Sequence, residues 1–360
     1  MKRNISEARD MPLVSVVMSV YNGEEFLRYS IESIINQSFE DFEFIIVNDG
    51  SSDRSGEIIE SYRDSRILYI KNESNKGLIE SLNKGIGFSR GKYIARQDAD
   101  DIALKNRLQK QVGYLENNAD VWVLGCGLEM IDGEGKFISN WIHPTGCNVV
   151  RWNLLFNNCV AHSSSVFRRD VVEKIGVYDK QYRYAEDYEL WSRVSRSHQV
   201  ENLPEPLQKY RLHPDAVSSL RGSDQLKVQE KISWMNIKNE LILSQSTDEF
   251  RVLLPQFKVG SVDDAVYYVS ALLKLKKIFS ENRDLSFVDS RHIDSYIVSC
   301  VLGLRERLTL LQSIHFMIKG RCFFPGIFWS KLAFIRFLLS QENKKIISRV
   351  LGRERKLVRR

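Results

Sequence analysis

The segment Tyr93-Ile94-Ala95-Arg96-Gln97-Asp98-Ala99-Asp100-Asp101 places three carboxylates directly after a strand-like run. A strand that feeds an acidic turn can hold a divalent cation against a diphosphate. Hard carboxylate oxygens suit Mg²⁺ or Mn²⁺, ions that keep substrate phosphates in their shell. An Asp-x-Asp alone is weak evidence, since Asp is common in turns and at helix N-caps. Its weight comes from what flanks it.

Upstream, residues 13–20 (LVSVVMSV) are apolar and β-branched, preceded by Pro12 and ended by Tyr21-Asn22-Gly23, which predicts a buried strand. Residues 24–37 carry Phe26, Leu27, Ile31, Ile34 and Ile35 at helical spacing. Further strands are predicted over 42–47, 67–70, 93–97 and 121–126, with helices over 78–88 and 104–117. Asp49-Gly50-Ser51-Ser52-Asp53 is a turn able to cap the helix that follows. Strands alternating with helices imply right-handed crossovers and a mostly parallel sheet, an α/β class. In such sheets ligands bind beyond the carboxyl ends of the strands. Tyr21 and Asn22, Asp49, and Asp98 with Asp100 all fall at those ends.

After Gly127 the pattern changes. Residues 130–142 read as a hairpin around Asp132-Gly133-Glu134-Gly135, 150–157 as a helix and 163–167 as strand-like. In Ala185-Glu186-Asp187-Tyr188-Glu189-Leu190-Trp191 a helix starts and runs to about Ser197, with Leu190, Trp191 and Val194 toward the core. Glu186 and Asp187 then sit in its first turn, where the helix dipole favours an ionised carboxylate. Pro204, Pro206 and Pro214 predict loops around 208–212. From 221 onward only helices are predicted, over 234–243, 265–279, 293–311 and 327–339, with a domain break at 215–225.

The 43% hydrophobic and 27% charged composition is that of a globular protein. Five scattered cysteines without C-x-x-C spacing argue against a disulfide framework or zinc site and fit a reducing compartment. The first residues lack the apolar stretch of a signal peptide, and no segment reaches the roughly 18 apolar residues of a spanning helix. The net charge of +6 is uneven: residues 1–220 carry 27 basic and 32 acidic groups, residues 305–360 carry 14 and 3. An aromatic segment at 323–339 followed by Arg353-Glu354-Arg355-Lys356-Leu357-Val358-Arg359-Arg360 suits an anionic membrane surface rather than nucleic acid. The alternative is a packed C-terminal helix with a solvated basic end.

Residues 15–23, 46–53, 75–78, 93–101 and 186–191 together resemble family 2 glycosyltransferases, over about residues 12–215. The resemblance implies a GT-A fold (a Rossmann-like sheet flanked by helices) over 1–220 and a helical region over 221–360. It implies an inverting, non-processive transfer of a sugar from a nucleotide-sugar, usually a UDP-sugar, to an acceptor hydroxyl. Carried over, Tyr21 lies against the base, Asp49 accepts the uracil N–H, and Asp98 contacts the ribose. Ser19, Asn22, Lys76 and Arg96 belong to the same donor-side segments, although Arg96 can equally pair with Asp98. Asp100 ligates an Mn²⁺ or Mg²⁺ ion, and His213 falls where relatives place a further metal or diphosphate contact. Asp187 is the general base with Glu186 beside it; His162 reads as structural. Asn48-Asp49 stands where relatives commonly show two acids, and no Q-x-x-R-W motif follows Glu186-Asp187, which speaks against a processive synthase. The implied acceptor is a glycan or lipid-linked glycan of a bacterial surface polysaccharide, met in the cytoplasm or at the inner membrane face. The rivals are a sugar-phosphate nucleotidylyltransferase, which wants a Gly-rich phosphate loop that Tyr21-Asn22-Gly23 is not, and a nucleotide-sugar-binding protein without turnover.

Overall fold

The computed structural model describes residues 11–214, 222–241, 248–254 and 259–305. These divide into two compact units, Met1–Ile237 and Lys238–Arg360.

The first unit is built on a nine-stranded sheet. Strands β1 (Val14–Val20), β2 (Phe42–Asn48), β3 (Ile67–Lys71) and β4 (Tyr93–Asp98) form its parallel half, in the order β3-β2-β1-β4. Every residue of β1 and β2 is buried, as a strand covered by helices on both faces requires. Alternation sorts the side chains. Val14, Val16, Met18 and Val20 pack in one core with Leu27, Ile31 and Ile34 of α1 (Leu27–Ile35), Ile58 and Ile59 of α2 (Ser55–Ser61), and Leu108, Val112 and Leu115 of α4 (Arg107–Asn117). Val17, Ile45 and Val47 face the opposite core, with Ile79, Leu82 and Ile86 of α3 (Leu78–Phe88).

The other half of the sheet is mixed. β8 (Val166–Arg168) runs antiparallel to both β4 and β6 (Val121–Ile131). β9 (Gln199–Arg211) is parallel to β6, while β5 (Ile102–Ala103) and β7 (Phe137–Trp141) add antiparallel edges on β9 and β6. The 130–142 hairpin is thus β6–β7. Two helices of this half are α5 (Cys147–Leu154) and α6 (Glu186–Ser195), whose Leu190, Trp191 and Val194 are buried as their spacing predicts.

Two readings are corrected. The loop expected around 208–212 is strand through Arg211. Proline lacks a ladder N–H, but Pro204 and Pro206 sit where the β6–β9 register slips between Cys126 and Leu128, so the ladder survives around them. Of residues 163–167, only Val166 and Phe167 are strand; His162–Ser164 form a 3₁₀ turn.

α7 (Gly222–Glu240) starts in the first unit, where Ile232 joins the core around Trp191. The second unit holds α8 (Val262–Glu281), opened by a Ser261–Asp264 capping box, and α9 (Phe287–Arg305). The predicted helix at 327–339 and the basic tail lie outside the described residues. Among the described residues no helix is long and apolar enough to cross a membrane.

Gly50 closes the turn after β2 with φ +72°, and a Cβ there would come within 2.7 Å of the Ser74 and Asn75 backbone. Neither conformation nor space admits a side chain. Gly50→Ala is expected to cost about 1–3 kcal/mol, measured by denaturant unfolding.

Candidate functional site

Strand ends bring the acidic residues together. Asp98 ends β4 and pairs in register with Ser19 of β1. Beyond it the chain turns so that Asp98, Asp100 and Asp101 place ligand oxygens within 4.8 Å of one another. Each is held separately. Arg96 is 1% exposed and its Nη2 donates to Asp98 Oδ1. Arg211 donates its backbone N–H to Asp101 Oδ1 (2.9 Å) and Nε to the Asp100 carbonyl (3.0 Å). Its Nη1 reaches the Asp132 and Gly133 carbonyls of the β6–β7 turn. His213 Nε2 lies 3.0 Å from Asp100 Oδ2, its ring against Phe26.

The cluster fits a hard divalent cation. It offers only carboxylate oxygens, and Asp101 Oδ2 is buried with no hydrogen-bond partner among the described residues. Burial holds the Asp98 and Asp101 carboxyls above their ordinary range, and the Asp100 charge pushes both the same way. Like charges crowded in this way are what a cation relieves.

Glu186 and Asp187 open α6, as expected. The residue before its N-cap, Tyr184, is held at φ 76°, a left-handed conformation rare for a bulky side chain. Asp187 Oδ1 accepts from the Tyr188 N–H and Oδ2 from Asn158 Nδ2, both at 2.7 Å. Burial, followed by the Glu186 charge, pushes Asp187 up to about 7. Glu186 is 5% exposed, its Oε2 has no hydrogen-bond partner among the described residues, and burial raises it too. The Asp98 charge adds, behind burial, to the upward shift of both acids.

The loops after β1 and β2 are stitched together. Asn22, at φ 50°, donates its N–H to Ser51 Oγ (3.0 Å) and accepts from the Ser52 N–H (2.9 Å). The Gly23 N–H reaches Ser55 Oγ, and the Glu24 N–H reaches Asp53 Oδ2. Tyr21 is 51% exposed above them and takes no part in the core. Asp49 is buried. Its Oδ1 accepts from Asn72 Nδ2 (2.8 Å) and the Lys76 N–H (2.9 Å), its Oδ2 from the Gly77 N–H (2.8 Å). It therefore anchors the turn before α3 rather than α2, which Asp53 serves through the Ser55 N–H. The Lys76 side chain is exposed.

Arg96 faces inward. Besides Asp98 it donates to the Val17 and Gln97 carbonyls and, through Nε, to His162 Nε2 (3.3 Å), with the Tyr178 hydroxyl 2.9 Å from the same nitrogen. Sequence reasoning passed over Asn158, Tyr178 and Arg211: Asn158 meets Asp187 across 29 residues, Arg211 meets Asp100 across 111, and Tyr178 meets His162 across 16 in no recognisable spacing.

The sequence pattern described as Glycosyl transferase family 2 matches residues 15–176. An uncharacterized glycosyltransferase of Haemophilus influenzae is 41% identical over 237 residues, 63% of this chain and 73% of the relative. The chain belongs to glycosyl transferase family 2. This glycosyltransferase is also 34% identical to the O-antigen biosynthesis glycosyltransferase WbnJ of Escherichia coli, across 57% of its own length and 82% of that relative. Its fold resembles residues 1–349 of Staphylococcus aureus TarS, solved with UDP-GlcNAc, at TM-score 0.52 and 17% identity, covering 79% of this chain and 84% of that fragment. Family membership decides for sugar transfer over nucleotidyl transfer.

Asp49→Asn must set an amide N–H against a donor, at Gly77 on one side or at Asn72 and Lys76 on the other. A loss of about 1–3 kcal/mol is expected. Unfolding measurements read it, together with faster hydrogen exchange at the Lys76 and Gly77 amides.

Proposed function

We propose that this glycosyltransferase moves a sugar, with inversion, from a UDP-sugar to a hydroxyl of a glycan or lipid-linked glycan during assembly of a bacterial surface polysaccharide. Two observations support the reading: the all-carboxylate cluster at the end of β4, and Asp187, a buried acid at the start of α6 raised to about 7. WbnJ, whose name assigns it to O-antigen biosynthesis, supports the polysaccharide class.

Asp187 is the general base. It takes the proton of the acceptor hydroxyl as that oxygen bonds to the anomeric carbon and the bond to the diphosphate breaks, its electron pair leaving with UDP. A carboxylate with a proton affinity near neutrality suits that transfer better than an ordinary Asp. Its two hydrogen bonds fix the carboxylate plane. Glu186, alongside, adds negative charge that strengthens the base. Asp100, Asp98 and Asp101 would hold Mn²⁺ or Mg²⁺, with His213 steering the Asp100 carboxylate. The bound cation neutralises charge developing on the diphosphate. Arg96 acts on Asp98 from beneath rather than on the donor itself.

On the nucleotide side, Asp49 has three of its roughly four acceptor positions occupied, which leaves one on Oδ2 for the uracil N–H. Tyr21 offers an exposed ring for the base, and Ser19, Asn22 and Lys76 line the same strand ends. The enzyme works in the cytoplasm, with its basic tail drawing it to the inner membrane face.

UDP release from UDP-sugars with Mn²⁺ and a hydroxyl acceptor tests the reading. Asp187→Asn should lose about 10²–10⁴-fold in kcat with donor binding retained; unchanged kcat would remove Asp187 from the chemistry. Since the base must be ionised, wild-type kcat should fall as pH drops through about 7 and level off above it. A protein ending at residue 320 should no longer sediment with anionic vesicles, and equal sedimentation would end the membrane assignment.

A further inference from the structure

His162 and Tyr178 belong to no motif, yet they join the two sides of the site. The Arg96 Nε proton and the Tyr178 hydroxyl converge on His162 Nε2, at 3.3 and 2.9 Å. Arg96 Nε–H can only donate, so Nε2 carries no proton and the ring's proton sits on Nδ1, with the single Nε2 lone pair shared between Arg96 and the Tyr178 hydroxyl. Burial, and then the Arg96 charge, hold His162 well below its ordinary range, which keeps it neutral. Tyr178 is itself fixed by an amide clamp from α3: Asn83 Nδ2 donates to its carbonyl (2.8 Å), and its N–H donates to Asn83 Oδ1 (3.1 Å). Both rings pack edge-on against Trp191, 6.5 Å between centroids in each case. Trp191 lies on α6, one turn beyond Asp187.

We infer that His162 and Tyr178 are positioning residues that lock the Arg96 guanidinium, so that Asp98 presents one carboxylate oxygen to the cation while the other stays bound to Arg96. The inference rests on the cation reading above and deepens it. Arg96 carries its donors in a rigid fork. With Nε pinned by His162, the fork cannot rotate, and Nη2 stays on Asp98 Oδ1. Without an acceptor for Nε, the guanidinium is held only through its Nη1 bonds to the Val17 and Gln97 carbonyls, and Asp98 loses part of its fixed orientation. Partners that orient metal ligands in this way commonly change metal affinity by about 10–100-fold when removed. The stacking on Trp191 lets the same pair set the spacing between Asp98 and the helix that carries the base.

The test is Mn²⁺ binding by isothermal titration calorimetry to the full chain saturated with UDP, beside steady-state kinetics. Wild type should bind Mn²⁺ and Asp100→Asn should not. If wild type does not bind, the cation reading fails and this inference with it. His162→Leu should bind Mn²⁺ about tenfold more weakly and need correspondingly more Mn²⁺ for half-maximal activity, at unchanged KM for the acceptor. His162→Gln, whose amide oxygen can accept from Arg96, should recover most of that affinity. Tyr178→Phe keeps the ring and the Asn83 clamp and should weaken Mn²⁺ binding about two- to tenfold, as expected for one lost hydrogen bond. His162→Leu within twofold of wild type, or Leu and Gln equally impaired, overturns the inference. If both His162 variants fail to fold, Tyr178→Phe decides, and wild-type affinity there overturns it.

Discussion

Mutual repulsion among Asp98, Asp100 and Asp101 is the constraint around which this site is organised. Two unit charges 4.8 Å apart repel by roughly 3 kcal/mol at an effective dielectric constant of about 20. The fold sets cations and donors behind the turn rather than in it. Arg96 meets Asp98, Arg211 grips the backbone on either side, and His213 faces Asp100. Deeper still, Arg107 is fully buried among Gln97, Gln111 and Gln208 and donates to the Arg96 carbonyl. These groups restrain the carboxylates, while Asp101 Oδ2 keeps no hydrogen-bond partner among the described residues.

The same logic governs α6. A helix start ordinarily favours an ionised acid, yet burial beside Glu186 outweighs the dipole and leaves Asp187 near neutrality. The strained Tyr184, its carbonyl held by Gln225 of α7 (2.9 Å), fixes the angle at which the helix begins. Asp187 is thus tuned by where the helix starts, and the helix by a residue outside the motif.

The parallel half of the fold was legible because its signals are local. Strands such as 13–20 show unbroken β-branched runs, and α3 has the residues its period predicts, 78–88. The acidic site residues were legible because strand ends in such sheets converge. The mixed half was not. β9 carries two prolines and holds together mainly through its long ladder with β6, which no local pattern announces. Asn158 and Tyr178 were equally silent, since an Asn after a helix or a Tyr in a loop gains meaning only from a partner far along the chain. Arg96 was half-read: its pairing with Asp98 was anticipated, its complete enclosure was not.

The stitching between the loops after β1 and β2 has a thermodynamic consequence. Asn22, Gly23 and Glu24 already spend their polar groups on Ser51, Ser52, Ser55 and Asp53 before any nucleotide arrives. A ligand docking there meets a rigid rim, and little chain entropy is surrendered on association. Any ligand that docks at these loops is therefore selected by complementarity to a preformed surface instead of being accommodated by rearrangement.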